Sequence, residues 1–191
     1  PGGRKRGRYF EKDRRDHLNC ITLSVLVPTT FHDQAQPMHT WRPSQRIEVK
    51  ALGLAWRNGL LLASEIQNDD GSIKGVRPLG GRLEFGESWR DALVREFYEE
   101  LGVSVQIVGT PVILENIYIH HGVVGHEVAF VSNIAFPDDA YTHDGPIEYL
   151  EDNGTPCRAS WFDVNTLDCG GLELYPTGLK SILQESTMKL D

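Results

Sequence analysis

The sequence predicts a mixed α/β domain, with strands set around one central helix and a second helix near the C-terminus. Three observations point to this class. Apolar, strand-like runs recur between residues 46 and 135. An Asn58-Gly59 pair, a strong tight-turn signal, separates two of them. From Ser88 to Leu101 the apolar residues follow a helical period, and a glycine comes next.

The elements follow in chain order. Ile21–Val27 reads as a short apolar strand, followed by a connector with proline and histidine to about Ser44. Arg46–Trp56 and Leu60–Ile66 read as a hairpin about Arg57-Asn58-Gly59. Gln67–Lys74 is a polar loop leading to the turn Pro78-Leu79-Gly80-Gly81. Ser88 or the preceding Gly86-Glu87 can cap the central helix, Glu87 is favoured near its positive end, and Gly102 stops it. At 100° per residue, Leu93, Phe97 and Leu101 share one stripe bordered by Val94, while Glu96, Glu99 and Glu100 lie on another. Val103–Gly109, Val112–His120 and His126–Ala135 follow as strands. Pro137–Pro156 reads as a loop holding six acids, and Arg158–Val164 as a last short strand. Tyr175-Pro-Thr-Gly178 opens a terminal helix through about Glu185, with Leu179, Ile182 and Leu183 as its apolar stripe. The division expected is an N-terminal basic arm and extension over 1–44 and a single domain over 45–191.

Composition narrows the function classes. A chain of 191 residues can bury a full core. No apolar run approaches the roughly 20 residues that span a membrane. The N-terminus lacks an apolar stretch with a small-residue cleavage site, so no secretory signal is expected. Cys20, Cys157 and Cys169 are far apart and without metal-site spacing. They read as buried or incidental thiols in a reducing, cytoplasmic setting. The net charge of −8 disfavours a dedicated nucleic-acid binder. That charge is uneven: residues 1–20 hold seven basic and three acidic side chains, and the rest 12 basic against 24 acidic. The opening arginines and lysine read as a tail, with an RNA-binding or regulatory arm as the alternative.

The chemistry concentrates between Gly80 and Val103. Glu96, Glu99 and Glu100 stand three and four residues apart on one helix, where like charges repel. A bound divalent cation relieves that repulsion, and all-carboxylate ligation suits Mg²⁺ or Mn²⁺. Arg95 is the one base inside the cluster, and Gly80 and Gly81 let the backbone approach a ligand closely. Gly81, Glu87, Arg95, Glu96, Glu99, Glu100 and Gly102 fall in one register, a chance match on the order of 10⁻⁸ at a given start.

This stretch resembles the signature of the Nudix hydrolases, G-x5-E-x7-R-E-U-x-E-E-x-G-U, where U is a bulky aliphatic residue. Val103 fits the last position, and Phe97 places an aromatic at the first. The resemblance implies a Nudix-type α/β/α sandwich with a mixed central sheet. It implies a metal-dependent pyrophosphohydrolase cleaving a diphosphate linkage by water attack at phosphorus, in a nucleoside diphosphate derivative or a nucleoside triphosphate. The Gly80 carbonyl, Glu96, Glu99 and Glu100 are the implied ligands of Mg²⁺ or Mn²⁺, and Arg95 orients the glutamates. Glu87 is either an outer metal ligand or a partner for Arg95. Glu99 is the helix candidate for general base, with Glu127, Glu148 and Glu151 as later candidates. A non-catalytic module of this fold that senses a nucleotide is the alternative; loss of metal acids would mark it, and none is missing. Removal of pyrophosphate from RNA 5′ ends has only the basic arm behind it.

Substrate choice lies outside the motif. Arg77 and Arg82 flank the glycine turn and can meet phosphates by charge-assisted bonds. Tyr118 is either a stacking platform for a nucleobase or a half-buried sheet tyrosine, and Glu127 is a further candidate contact. His120, His121 and His126 straddle a turn and read as surface or satisfied turn residues. The acidic loop either closes over substrate or is solvated. The expected partner is a small-molecule nucleotide, neither membrane nor nucleic acid, and a homodimer is left open.

Overall fold

A computed structural model describes residues 42–138, 140–141, 145–151 and 154–188, with side chains to Glu185. The strand expected over Ile21–Val27, the basic arm and Cys20 lie outside these residues, as do Asp139, Asp144 and Asp152.

β1 (Ile47–Arg57) and β2 (Leu60–Gln67) form the expected hairpin. Asn58 and Gly59 have φ of 50° and 78°, the two positive values that a tight two-residue turn demands. The polar loop is shorter than expected, because β3 (Ile73–Pro78) already pairs with β2 from Ile73 onward. Gly75 and Pro78 hide this strand from propensity. A Cβ at Gly75 would collide with the Glu173 carbonyl, so the glycine permits close approach of a neighbour. β4 (Gly80–Arg82), also unexpected, pairs with β1.

Helix α1 (Trp89–Leu101) has the expected ends. The Ser88 hydroxyl accepts from the Asp91 N–H at 3.2 Å. Gly102, at φ 69°, donates its N–H to the Tyr98 carbonyl. The two strands expected over Val103–Gly109 and Val112–His120 are one, β5 (Gln106–His120), with a register shift between Val108 and Val112. Gly109 has positive φ and Pro111 lacks an N–H, so a bulge absorbs both without ending the strand. Val103–Val105 precede it. β6 (Val123–Ala135) returns antiparallel. The acidic stretch contains β7 (Ile147–Leu150), which pairs with β8 (Pro156–Phe162). Ile147 and Tyr149 face inward and Glu148 and Leu150 outward, a period too short to stand out among acids. A 3-10 turn (Val164–Thr166), β9 (Glu173–Leu174) and α2 (Leu179–Met188) complete the described chain.

The main sheet order is β5-β6-β1-β2-β3-β9, with β4 on β1 and β8 on β2. β1 runs parallel to β6 and β3 to β9, and the other pairs are antiparallel, so the sheet is mixed. Alternation along β1 divides the core. Ala51 and Ala55 pack with Leu93, Phe97 and Leu101 of α1, while Leu52 and Leu54 pack with Val131, Leu167 and Leu179 of the α2 side. The two helices thus cover opposite faces, the expected α/β/α sandwich. A Cβ at Gly53 would lie 2.5 Å from the Phe97 ring, so this glycine lets α1 sit close to the sheet. No described helix is long and apolar enough to cross a membrane.

Candidate functional site

The site is built where β4 passes under α1. Register places Gly80 beside Leu52 and Gly81 beside Ala51. A Cβ at Gly80, whose φ is 123°, would strike the Ala51 carbonyl. A Cβ at Gly81 would overlap the Glu96 carboxylate. One contact therefore accounts for two motif positions: the buried Glu96 head group rests on bare strand backbone.

Arg95 organises the acids around it. Its Nε and Nη2 donate to Glu87 Oε1 and Oε2 at 2.9 and 3.1 Å. Its Nη1 donates to Glu96 Oε1 at 3.0 Å and Glu99 Oε2 at 2.8 Å, and Nη2 also reaches the Arg82 carbonyl at 3.0 Å. The bonds to Glu87, then Glu99, raise the pKa of Arg95, and Arg95 in turn holds the Glu87 carboxyl below its usual range. The Glu84 N–H also donates to Glu87 at 3.1 Å. Glu87 thus pairs with Arg95 through both oxygens.

Glu100 stands outside this network. Its Oε2 is buried and has no hydrogen-bond partner among the described residues. Burial pushes its carboxyl up to about 8, with Glu151 and Glu96 adding repulsion and Arg77 and the Gly80 N–H opposing. Such an oxygen is costly unless something supplies a donor or a cation. The oxygens available as ligands are carboxylates and the Gly80 carbonyl, which Arg77 Nη2 approaches at 3.5 Å. That all-oxygen set fits a hard divalent ion. Among the described residues, no three His, Cys, Asp or Glu side chains already converge on one point, since Arg95 draws Glu96 and Glu99 to itself.

Arg77 is half-buried. Burial opposes its charge, but Glu151, Tyr149, Glu100 and Glu127 outweigh that and raise its pKa, so it stays a cation behind the glycine turn. Glu151 therefore sits in the field of Glu100 and Arg77. Glu148 points away, 3.7 Å from Arg158 on an exposed surface.

A second polar group lines the neighbouring strands. Glu127 is buried; Lys50 Nζ reaches its Oε2 at 2.9 Å and Asn116 Nδ2 donates to its Oε1 at 2.9 Å. Burial would raise the Glu127 pKa, yet Lys50 and Asn116 win and lower it. Lys50 is itself lowered, by burial and then by Arg77. Sequence reasoning did not single out Lys50 or Asn116. The available signal was a polar side chain inside each apolar strand run. Lys50, Glu48, Arg82, Ser44, Arg42 and Tyr118 line a cavity of about 170 Å³. Tyr118 rests on Gly125, where a Cβ would collide with its ring, and burial pushes its hydroxyl up to about 12. Arg82 is solvated, 3.8 Å from Glu48. The candidates thus separate: Arg77 stands with the acids, Tyr118 and Arg82 with the cavity.

Two of the histidines pair with carboxylates, while the buried His121 Nε2 has no hydrogen-bond partner among the described residues. His121 Nδ1 lies 2.9 Å from Asp69, and His126 Nε2 lies 3.1 Å from Glu115. Cys157 is half-buried, Cys169 is exposed, and both are free thiols.

A protein-family model described as the NUDIX domain matches residues 46–180. No curated protein matches the chain. Among solved structures, a MutT NUDIX hydrolase from Burkholderia pseudomallei is similar at 22% identity, over 74% of this chain and 98% of that one, with a TM-score of 0.49. A NUDIX hydrolase from Nitrosomonas europaea shows 20% identity over 75% and 90% of the two chains, with a TM-score of 0.47. An ADP-ribose pyrophosphatase from Streptococcus suis shows 18% identity over 75% and 93%, with a TM-score of 0.42. Likeness at this level carries no argument about the substrate.

Proposed function

We propose, from the premise that this chain belongs to the Nudix hydrolase family, that it cleaves a diphosphate linkage in a divalent-metal-dependent reaction. The substrate class is a nucleoside diphosphate derivative or a nucleoside triphosphate. The observation that carries the reading is Glu100, whose Oε2 is buried without a hydrogen-bond partner among the described residues, in the field of Glu96 and Glu151 and beside the Gly80 backbone. Glu96, Glu99, Glu100 and the Gly80 carbonyl would hold Mg²⁺ or Mn²⁺. When bound, such an ion neutralises charge on phosphate oxygens and sets phosphorus in line with water.

The chain's own residues do the rest. Arg95 holds Glu87, Glu96 and Glu99 in fixed orientation, which lowers the entropy lost in assembling the site. Arg77, kept charged, faces the same space and is suited to meet a phosphate oxygen. Glu99 is the more exposed of the helix acids and takes the proton from the attacking water. Glu127 has both oxygens engaged and serves better as the anchor of Lys50 than as a base. The cavity of about 170 Å³ by Tyr118 is suited to one group of the substrate.

The test is product analysis with Mg²⁺ or Mn²⁺ across ADP-ribose, nucleotide sugars, diadenosine polyphosphates, nucleoside triphosphates and oxidised nucleotides. One preferred substrate, cut at the diphosphate only when metal is present, is the expected result. No turnover across the panel with nucleotide binding retained would replace this reading by a binding module.

A further inference from the structure

We propose that Cys169 and Lys180 form an oxidation-dependent covalent bridge, a sulfur–nitrogen bond that fastens the β8–β9 connection to α2. Neither residue belongs to the acid cluster or lines the Tyr118 cavity. Cys169 is exposed on the connection, and Lys180 is half-buried in the first turn of α2. Lys180 Nζ stands 3.6 Å from Cys169 Sγ. It also donates to the carbonyls of Leu167 and Asn165, the second at 3.4 Å. The protons of the ammonium thus have three acceptors, and one of them is sulfur.

The fold fixes both partners. Asp168, at φ 57°, takes the Leu174 N–H on Oδ1 at 2.7 Å and gives its own N–H to the Leu172 carbonyl at 2.9 Å. These bonds close the loop that carries Cys169. Leu167 and Leu174, on either side of that loop, are buried with Leu179 in the core on the α2 side, so loop and helix are held on one cluster. Cβ atoms at Gly170 and Gly171 would meet nothing within 4 Å. The sulfur is therefore open to a small oxidant, and the glycines leave it room to close on nitrogen.

The two thiols among the described residues have opposite neighbours. Cys157 Sγ lies 3.8 Å from Glu151 Oε1, and burial, then Glu151 and Glu100, push it up to about 11. It stays an unreactive thiol. Cys169 has an ammonium in the corresponding place, a counter-charge for the thiolate that attacks peroxides.

The oxidant is hydrogen peroxide. The Cys169 thiolate attacks one peroxide oxygen, the O–O bond breaks, and the thiol proton leaves with the other oxygen as water. Sulfur is oxidised to a sulfenic acid, and the peroxide is reduced. Lys180, after losing one proton to solvent, attacks the sulfur through its nitrogen lone pair. The S–O bond breaks, and the departing hydroxide takes a second nitrogen proton as water. One thiol, one amine and one peroxide thus yield one S–NH link and two waters.

Tryptic mapping of the full chain after brief peroxide treatment tests the proposal. A bridged Lys180 is no longer a trypsin site. The expected product is a peptide of residues 159–189, lighter than its sequence by two hydrogens and cleaved normally after dithiothreitol. Lys180→Arg keeps the charge without a nucleophilic amine, and is expected to leave Cys169 as an oxygen acid. The wild type treated in urea should lack the bridge as well, because only the fold brings the pair together. Loss of two hydrogens with cleavage at Lys180 retained places the new bond on a backbone nitrogen and overturns the pairing. The same product from Lys180→Arg overturns it too, as does a folded wild type in which Cys169 stays reduced or gains only oxygen.

Discussion

The glycine turn under α1 and the wall formed by β1, β5 and β6 both bury carboxylates, and they balance them differently. At the wall, Glu127 has one donor for each oxygen, and its pKa falls although it is buried. At the turn, Glu87, Glu96 and Glu99 share the single Arg95, while Glu100 keeps an oxygen without a donor among the described residues and its pKa rises to about 8. A closed ion pair leaves nothing for a ligand to do. An acid cluster short of one cation stores a cost that a ligand removes. The contrast separates anchoring charge from binding charge without reference to any relative.

The largest expected effect breaks the wall. Glu127→Ala removes the 2.9 Å ion-pair partner of the buried Lys50, and loss of one partner of a buried pair costs about 3–5 kcal/mol. Urea unfolding measures it; a loss under about 1 kcal/mol would mean that the pair is not structural. The turn is expected to respond in the opposite manner. Glu99→Gln and Glu100→Gln should each lower turnover by about 10²-fold or more while the fold is retained. Glu100→Gln should also abolish any rise in melting temperature on adding Mg²⁺. Near-normal turnover in both variants defeats the metal assignment. The smallest effect sharpens the wall at its tip, where burial, then His121 and Lys74, lower the His120 pKa to about 4 from 6.5. Between those values the unfolded chain binds one more proton than the folded one. Stability is therefore complete above pH 6.5 and falls as pH drops toward 4. His120→Asn should flatten that slope in urea titrations taken across the window; an equal slope in the variant removes His120 as its source.

What the sequence by itself determined is local. Gly102 and Asn58-Gly59 mark the stop and the turn at the residues observed, and the start falls on Ser88, one of the two caps the sequence offered, because each answers to backbone geometry within a few positions. The order of Arg95 and the three helix glutamates was equally legible, since a helix converts spacing into a shared face. Tertiary structure decided the rest. β7 is too short to declare itself and exists because β8 offers it a partner. That Gly81 must be bare follows from the Glu96 carboxylate lying on it, and only the β4–α1 packing creates that contact. Lys50 meets Glu127 because β1 lies parallel to β6, an adjacency no local propensity encodes. Conformational preference acts over neighbouring residues, whereas pairing between distant strands is settled by the burial and hydrogen bonding of the whole sheet.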